Sequence, residues 1–171
     1  MKGNHLRKSV LVMTCVLAST GFLYAQARQI PANAALADQF GNETRIGQLA
    51  ATRTVVVMYS AEREAGDCLK AWFQGLKAEL AQNARLPADT VLLAVADLGA
   101  VPFFVPKNAI IKQLVADYPD VPMLLDWKGS LGLVLSAGKS KATATVYAGG
   151  RFLGQTSGEF TAEKAVPLLD F

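Results

Sequence analysis

The chain has 171 residues and a formal charge of +3, yet Lys2, Arg7 and Lys8 all fall in the first 27 residues, where there is no Asp or Glu. Without that stretch the charge is zero, and net charge makes no case for nucleic acid or an anionic membrane as partner. The only histidine, His5, and one of the two cysteines, Cys15, leave with it, which excludes Ser-His-Asp or Cys-His catalysis, His/Cys zinc sites, an internal disulfide and a CxxC pair.

The first 27 residues have the layout of a secretory signal: a positive start, an apolar run from Ser9 to Tyr24, and the small-residue box Ala25-Gln-Ala27. A membrane is expected as partner only if this segment stays uncleaved. The expected location is the periplasm or the exterior. Residues 28–35 read as a short leader, and 36–171 as one domain. About 144 residues remain after cleavage, enough for one domain with a core.

Leu36 to Ile46 reads as a hairpin turning at Gly41-Asn42, and Ile46 and Leu49 as a helical turn. Thr54 to Tyr59 is β-branched and nearly all apolar, the pattern of a strand covered on both faces. Ser60 to Gln82 follows as a long helix with Leu69, Trp72, Phe73, Leu76 and Leu80 on one stripe. After a loop with Pro87, Thr90 to Ala96 is a second buried strand. Val101-Pro-Phe-Phe-Val-Pro106 is an unusually apolar loop, in which Phe103 and Phe104 either pin the crossover to the core or form a binding lip over a groove.

Lys107 to Asp117 predicts a helix with Ile110, Ile111, Leu114 and Val115 facing inward. Val121 to Asp126 predicts a third strand, with Pro122 suiting its start or a sheet edge. Asp126 to Gly129 is a turn, and Leu131 to Leu135 a helical turn or short strand. Ala142 to Tyr147 and Phe152 to Thr156 form a hairpin through Gly149-Gly150. Thr161 to Leu169 closes the chain as a helix capped by Thr161. The fold expected is α/β, with a mixed central sheet flanked by helices and an N-terminal hairpin.

Asp38, Asp97 and Asp126 each end a strand or open a turn, where the bland role is to hydrogen-bond the backbone. No local loop offers the four oxygens of a calcium site, and no helix follows Gly149-Gly150 to bind phosphate. Neither a metal nor a cofactor is expected.

Leu36-x-Asp-x-x-Gly41, the Val55–Tyr59 strand, Cys68 on the next helix, Pro122-Met-Leu-Leu-Asp126, and the closing hairpin with Gly150 then Gly158 resemble, in this order, the thioredoxin-like superfamily. The likeness is to its redoxin branch of peroxiredoxins and related extracytoplasmic thiol proteins. It spans about residues 36 to 169 and implies a thioredoxin-like fold. Peroxiredoxins place a Pro, a Thr or Ser and the peroxidatic Cys after this strand, with an Arg on a later one. Here the Cys position matches Cys68, the Pro falls on Ala61, the Thr on Ala65 and the Arg on Lys141.

Against thioredoxins, Cys68 matches the second cysteine and Ala65 the nucleophile, and Ser140 to Ala144 lacks the proline expected there. The chain is also similar to periplasmic YtfJ-type proteins, which implies no thiol-redox role.

Cys68 and Lys141 are thus the candidate catalytic residues. A helix N-terminus and a lysine favour a thiolate, while Glu62, Glu64 and Asp67 oppose it. If the helix starts at Ala61 the cysteine gains little, and if it starts at Gly66-Asp67 it gains most. Two functions follow. One is a single-cysteine thiol oxidoreductase or peroxidase-like protein that needs an external resolving thiol as partner. The other is a redox-inactive binding or scaffold module. A third option is a small-ligand carrier using Phe103 and Phe104.

Overall fold

The computed structural model describes residues 29–61, 65–83, 87, 89–137 and 142–170. The apolar leader, Glu62, Glu64 and Lys141 lie outside the described residues.

Strand β3, Val55–Ser60, is the centre of the molecule, and all six of its residues are buried. It pairs in parallel with β4, Val91–Asp97, and antiparallel with β6, Thr143–Ala148. Beyond β4 lies parallel β5, Met123–Asp126, and beyond β6 lies antiparallel β7, Arg151–Ser157, giving the order β5-β4-β3-β6-β7. Hydrogen-bonded on both sides and covered on both faces, β3 needs no polar face, which is why its sequence does not alternate.

Two cores lie on opposite faces of this sheet. Helices α2 (Ala65–Gln82), α3 (Lys107–Asp117) and α5 (Ala162–Leu169) cover the first, where Met58, Leu69, Trp72, Leu76, Met123 and Leu169 meet. Helices α1 (Ile46–Thr52) and α4 (Ser130–Leu135) cover the second, built on Ile46, Val57, Tyr59, Val95, Leu135 and Tyr147. The stretch from Leu131 to Leu135 is therefore helical.

The N-terminal hairpin is two short strands, β1 (Ala35–Ala37) and β2 (Glu43–Arg45), forming a separate sheet. Asp38 Oδ1 accepts the N–H groups of Phe40 and Asn42, both at 2.9 Å, and Gly41 takes the left-handed conformation at φ +88. The hairpin closes an edge. Asp38 bridges Leu124 of β5, and the Gln39 amide donates to Val121 O (2.8 Å) and Tyr118 O while accepting from Met123 N (2.7 Å). Backbone groups that an open edge would leave to pair with another chain are thereby satisfied. Pro122 stands just before this edge strand, where its missing N–H costs no ladder bond.

At the other hairpin, Gly149 and Gly150 both have positive φ, as a two-residue turn with the twist of its strands requires.

Two expectations need correction. In α3 no residue is fully buried, and Val115 is exposed rather than inward. The reason is local: α3 has eleven residues, but β5 at the sheet edge has four, so little sheet lies beneath the helix. Leu114 reaches the first core, whereas Ile110 and Ile111 stay half-buried. Thr161 holds the N-cap position of α5, but its side chain makes no cap bond. Its carbonyl instead accepts from Lys164 N (3.1 Å) and Ala165 N (3.0 Å).

Candidate functional site

The strand β3 delivers the chain to the head of α2. The described part of that helix runs from Ala65, with Cys68 four residues into it, and Ala61 is not helical. Unpaired N–H groups and the positive end of the helix dipole lie at the head of a helix. The thiol is half-buried and packs against the first core. Asp67, the residue before it, is exposed and takes a share of the same positive potential.

Tyr118, at the C-terminal end of α3, closes over this turn. Its OH donates to Asp67 Oδ1 at 3.1 Å. Gly66 is what lets the ring approach: a Cβ there would lie 2.3 Å from the Tyr118 ring. The phenol pKa is raised, first by desolvation and then by the hydrogen bond to Asp67. One turn further along α2, Trp72 is buried and its indole N–H donates to Gly158 O at 2.9 Å. Trp72 packs edge-to-face on Phe160, and so belongs to the core.

On the opposite face of the sheet, three polar residues lie at or next to the ends of three adjacent parallel strands. Tyr59 OH donates to Asp97 Oδ2 at 2.5 Å. Asp97 is paired in register with Asp126, and its other oxygen accepts Gly99 N at 2.7 Å. Asp126 is 1% exposed; its Oδ2 accepts Leu131 N at 2.7 Å and its Oδ1 accepts Lys128 N at 3.2 Å. The Tyr59 pKa is pushed far upward, by burial first and then by Asp97. The expected turn role of Asp38, Asp97 and Asp126 is present, and for Asp97 it is incomplete. The link from Tyr59 to Asp97 spans 38 positions and carries no local sequence signal.

The candidate residues do not converge. Cys68 belongs to the first core and the Tyr59 cluster to the second, with β3 between them. Lys141 lies outside the described residues. Phe103 and Phe104 stand in solvent, 99% and 73% exposed, so they do not pin the crossover to the core. A groove of about 860 Å³ runs between the N-terminal hairpin and α3, lined by Leu36, Phe40, Ile111 and Trp127 among others, and neither phenylalanine lines it. Among the described residues no group of three or more His, Cys, Asp or Glu could hold a metal ion.

No protein-family profile matches the chain, and no curated protein sequence matches it either. Its fold does match solved structures. The pneumococcal exposed lipoprotein thioredoxin from Streptococcus pneumoniae is 21% identical with a TM-score of 0.58, over 80% of this chain and 96% of that one. DsbF of MTB, seen in mixed oxidised and reduced forms, is 12% identical with a TM-score of 0.56, over 82% and 96%. A secreted Mycobacterium tuberculosis disulfide oxidoreductase homologous to E. coli DsbE is 9% identical with a TM-score of 0.52, over 81% and 95%.

The chain has a thioredoxin-like fold: a central mixed sheet of five strands flanked by helices, preceded by a two-stranded hairpin. At these identities the likeness establishes the fold. Among the described residues no helix is long and apolar enough to cross a membrane.

Proposed function

We propose that this is an extracytoplasmic thioredoxin-fold thiol protein that works through Cys68 alone and depends on an external thiol. The observation that carries the reading is the position of Cys68: half-buried near the N-terminal end of α2, the helix that follows the central strand. Support for the compartment comes from the apolar leader at residues 1–27, together with structural neighbours described as an exposed lipoprotein and a secreted oxidoreductase. The working domain is residues 36–171.

The chemistry is thiol–disulfide exchange. The Cys68 thiolate attacks one sulfur of a partner's disulfide, forms a mixed disulfide and releases the other sulfur as thiolate. With no second cysteine on the domain, an external thiolate then attacks the mixed disulfide and returns Cys68 reduced. Peroxide is a poorer substrate. Cleaving its O–O bond forms a sulfenic acid and an oxyanion that must be stabilised and protonated. Ala61 and Ala65 stand where peroxiredoxins offer Pro and Thr, and Lys141, where they offer Arg, lacks the planar fork.

The test is the rate at which the full chain forms a mixed disulfide with oxidised glutathione, alongside Cys68→Ser and a titration of the thiol. We expect a thiol pKa below the ordinary value of about 8.5 and a rate above that of free cysteine. A rate no faster than free cysteine, or one unchanged in Cys68→Ser, sinks the proposal.

A second reading is a redox-inactive binding module. It draws on Ala65 at the head of α2 and on the exposed carboxylate of Asp67 beside the thiol. On this reading Cys68→Ser keeps the protein's cellular role intact.

A further inference from the structure

The loop between β4 and α3 carries a surface that the thiol chemistry leaves unused. Val105 N donates to Pro102 O at 3.0 Å, which closes a turn with Phe103 and Phe104 at its apex. Turn apices favour Gly, Asn, Asp and Ser, so two phenylalanines here are anomalous. They touch each other edge-to-face, with centroids 5.8 Å apart, and are otherwise in solvent, at 99% and 73% exposure.

The turn is held in place. Leu98 N donates to Asp126 O (2.9 Å), Gly99 N donates to Asp97 Oδ1 (2.7 Å), and Ala109 N donates to Pro106 O (3.0 Å). With its backbone already braced, the tip has little backbone entropy to lose on binding.

The loop and the turn at its root carry lysines. From Leu98 to Ala116 the charged residues are Lys107 and Lys112, and from Trp127 to Ala137 there is Lys128 alone. These two segments touch at their roots: Lys107 Nζ lies 4.8 Å from the centre of the Trp127 ring, and Gly99 packs on Gly129. Of the acids at the root, Asp126 is buried and Asp97, half-buried, is bonded to Tyr59 and Gly99. A net charge of zero for the domain therefore coexists with lysines on the segments that carry and brace the phenylalanines.

We propose that the Phe103–Phe104 turn, with Lys107 and Lys128, docks the protein on a phospholipid surface bearing anionic headgroups. A convex, largely exposed tip offers a rigid protein partner no concave fit, whereas acyl chains close around it. The lysines meet headgroup phosphates in the same approach.

The test is co-sedimentation of the protein, as purified from cells, with vesicles of phosphatidylglycerol and phosphatidylcholine or of phosphatidylcholine alone. We expect binding to the anionic vesicles that weakens with salt. Lys107→Gln with Lys128→Gln should lower the partition coefficient about 25-fold, at roughly fivefold per lysine. Phe103→Ser with Phe104→Ser should lower it about a hundredfold.

A local readout accompanies this: the indole introduced by F104W should be quenched by lipids brominated in their acyl chains. No vesicle binding, equal binding to both compositions, a double-serine variant that binds like wild type, or an unquenched indole each overturns the proposal. The double-serine outcome is also what an apolar N-terminal anchor alone would produce. Loss of self-association in the serine variant without any vesicle binding would point to a second copy instead, and overturns it too.

Discussion

The phenol of Tyr59 donates to Asp97 Oδ2 across the boundary between the parallel strands β3 and β4, on the face of the sheet away from Cys68. This bond ties the end of the central strand to the root of the loop that carries Phe103 and Phe104. Tyr59→Phe should cost about 1–3 kcal/mol, measured by urea unfolding.

Alkaline pH should report the same group. The folded pKa of Tyr59 is raised, so folding is favoured in full below the unfolded value of about 10 and progressively lost as pH climbs past it. Stability measured between neutral and strongly alkaline pH should fall for the wild type. The fall should be shallower for Tyr59→Phe, and an identical slope in the two proteins would refute the assignment.

Gly132 lies against the same phenol, since a Cβ there would sit 2.3 Å from the Tyr59 oxygen. Gly132→Ala has to push a buried ring off its hydrogen bond, which should cost about 1–3 kcal/mol despite the better helix propensity of alanine. A thermal melt decides it. A variant as stable as wild type would mean that the ring has room to move.

Gln39 is the side chain that closes the β5 edge, through bonds to Tyr118, Val121 and Met123. Gln39→Leu keeps the bulk and leaves the Met123 N–H without its acceptor. We expect a loss of about 1–3 kcal/mol and faster exchange of the Met123 amide with deuterium.

Asp67→Asn separates reactivity from stability. Removing the carboxylate beside Cys68 favours the thiolate, so alkylation near neutral pH should accelerate a few-fold. The same change weakens a favourable acid at the helix head and its bond from Tyr118, costing about 0.3–1 kcal/mol. Opposite movement of alkylation rate and unfolding midpoint is the expected signature, and a slower alkylation would count against the electrostatic account.

Much of the fold was legible because its signals are local. The unbroken run Val55 to Tyr59 announced a strand covered on both faces, and the stripe of Leu69, Trp72 and Leu76 announced the helix beneath it. The adjacent glycines 149 and 150 announced a tight hairpin turn. The periodicity of Lys107 to Asp117 predicted the helix at its observed bounds but not its exposure. Burial depends on what lies beneath a helix, and here a four-residue edge strand lies beneath it.

Taken by itself, then, the sequence determined the order of strands and helices apart from Leu131 to Leu135, the mixed sheet and the single cysteine of the domain, because periodicity and turn chemistry act over a few residues. The tertiary structure alone decided three things. It packed Cys68, half-buried, against the first core, paired Tyr59 with Asp97, and lifted Phe103 and Phe104 into solvent. Each of these depends on where a strand end or loop root falls against an element distant in the chain, and that is set by packing across the sheet rather than by neighbouring residues.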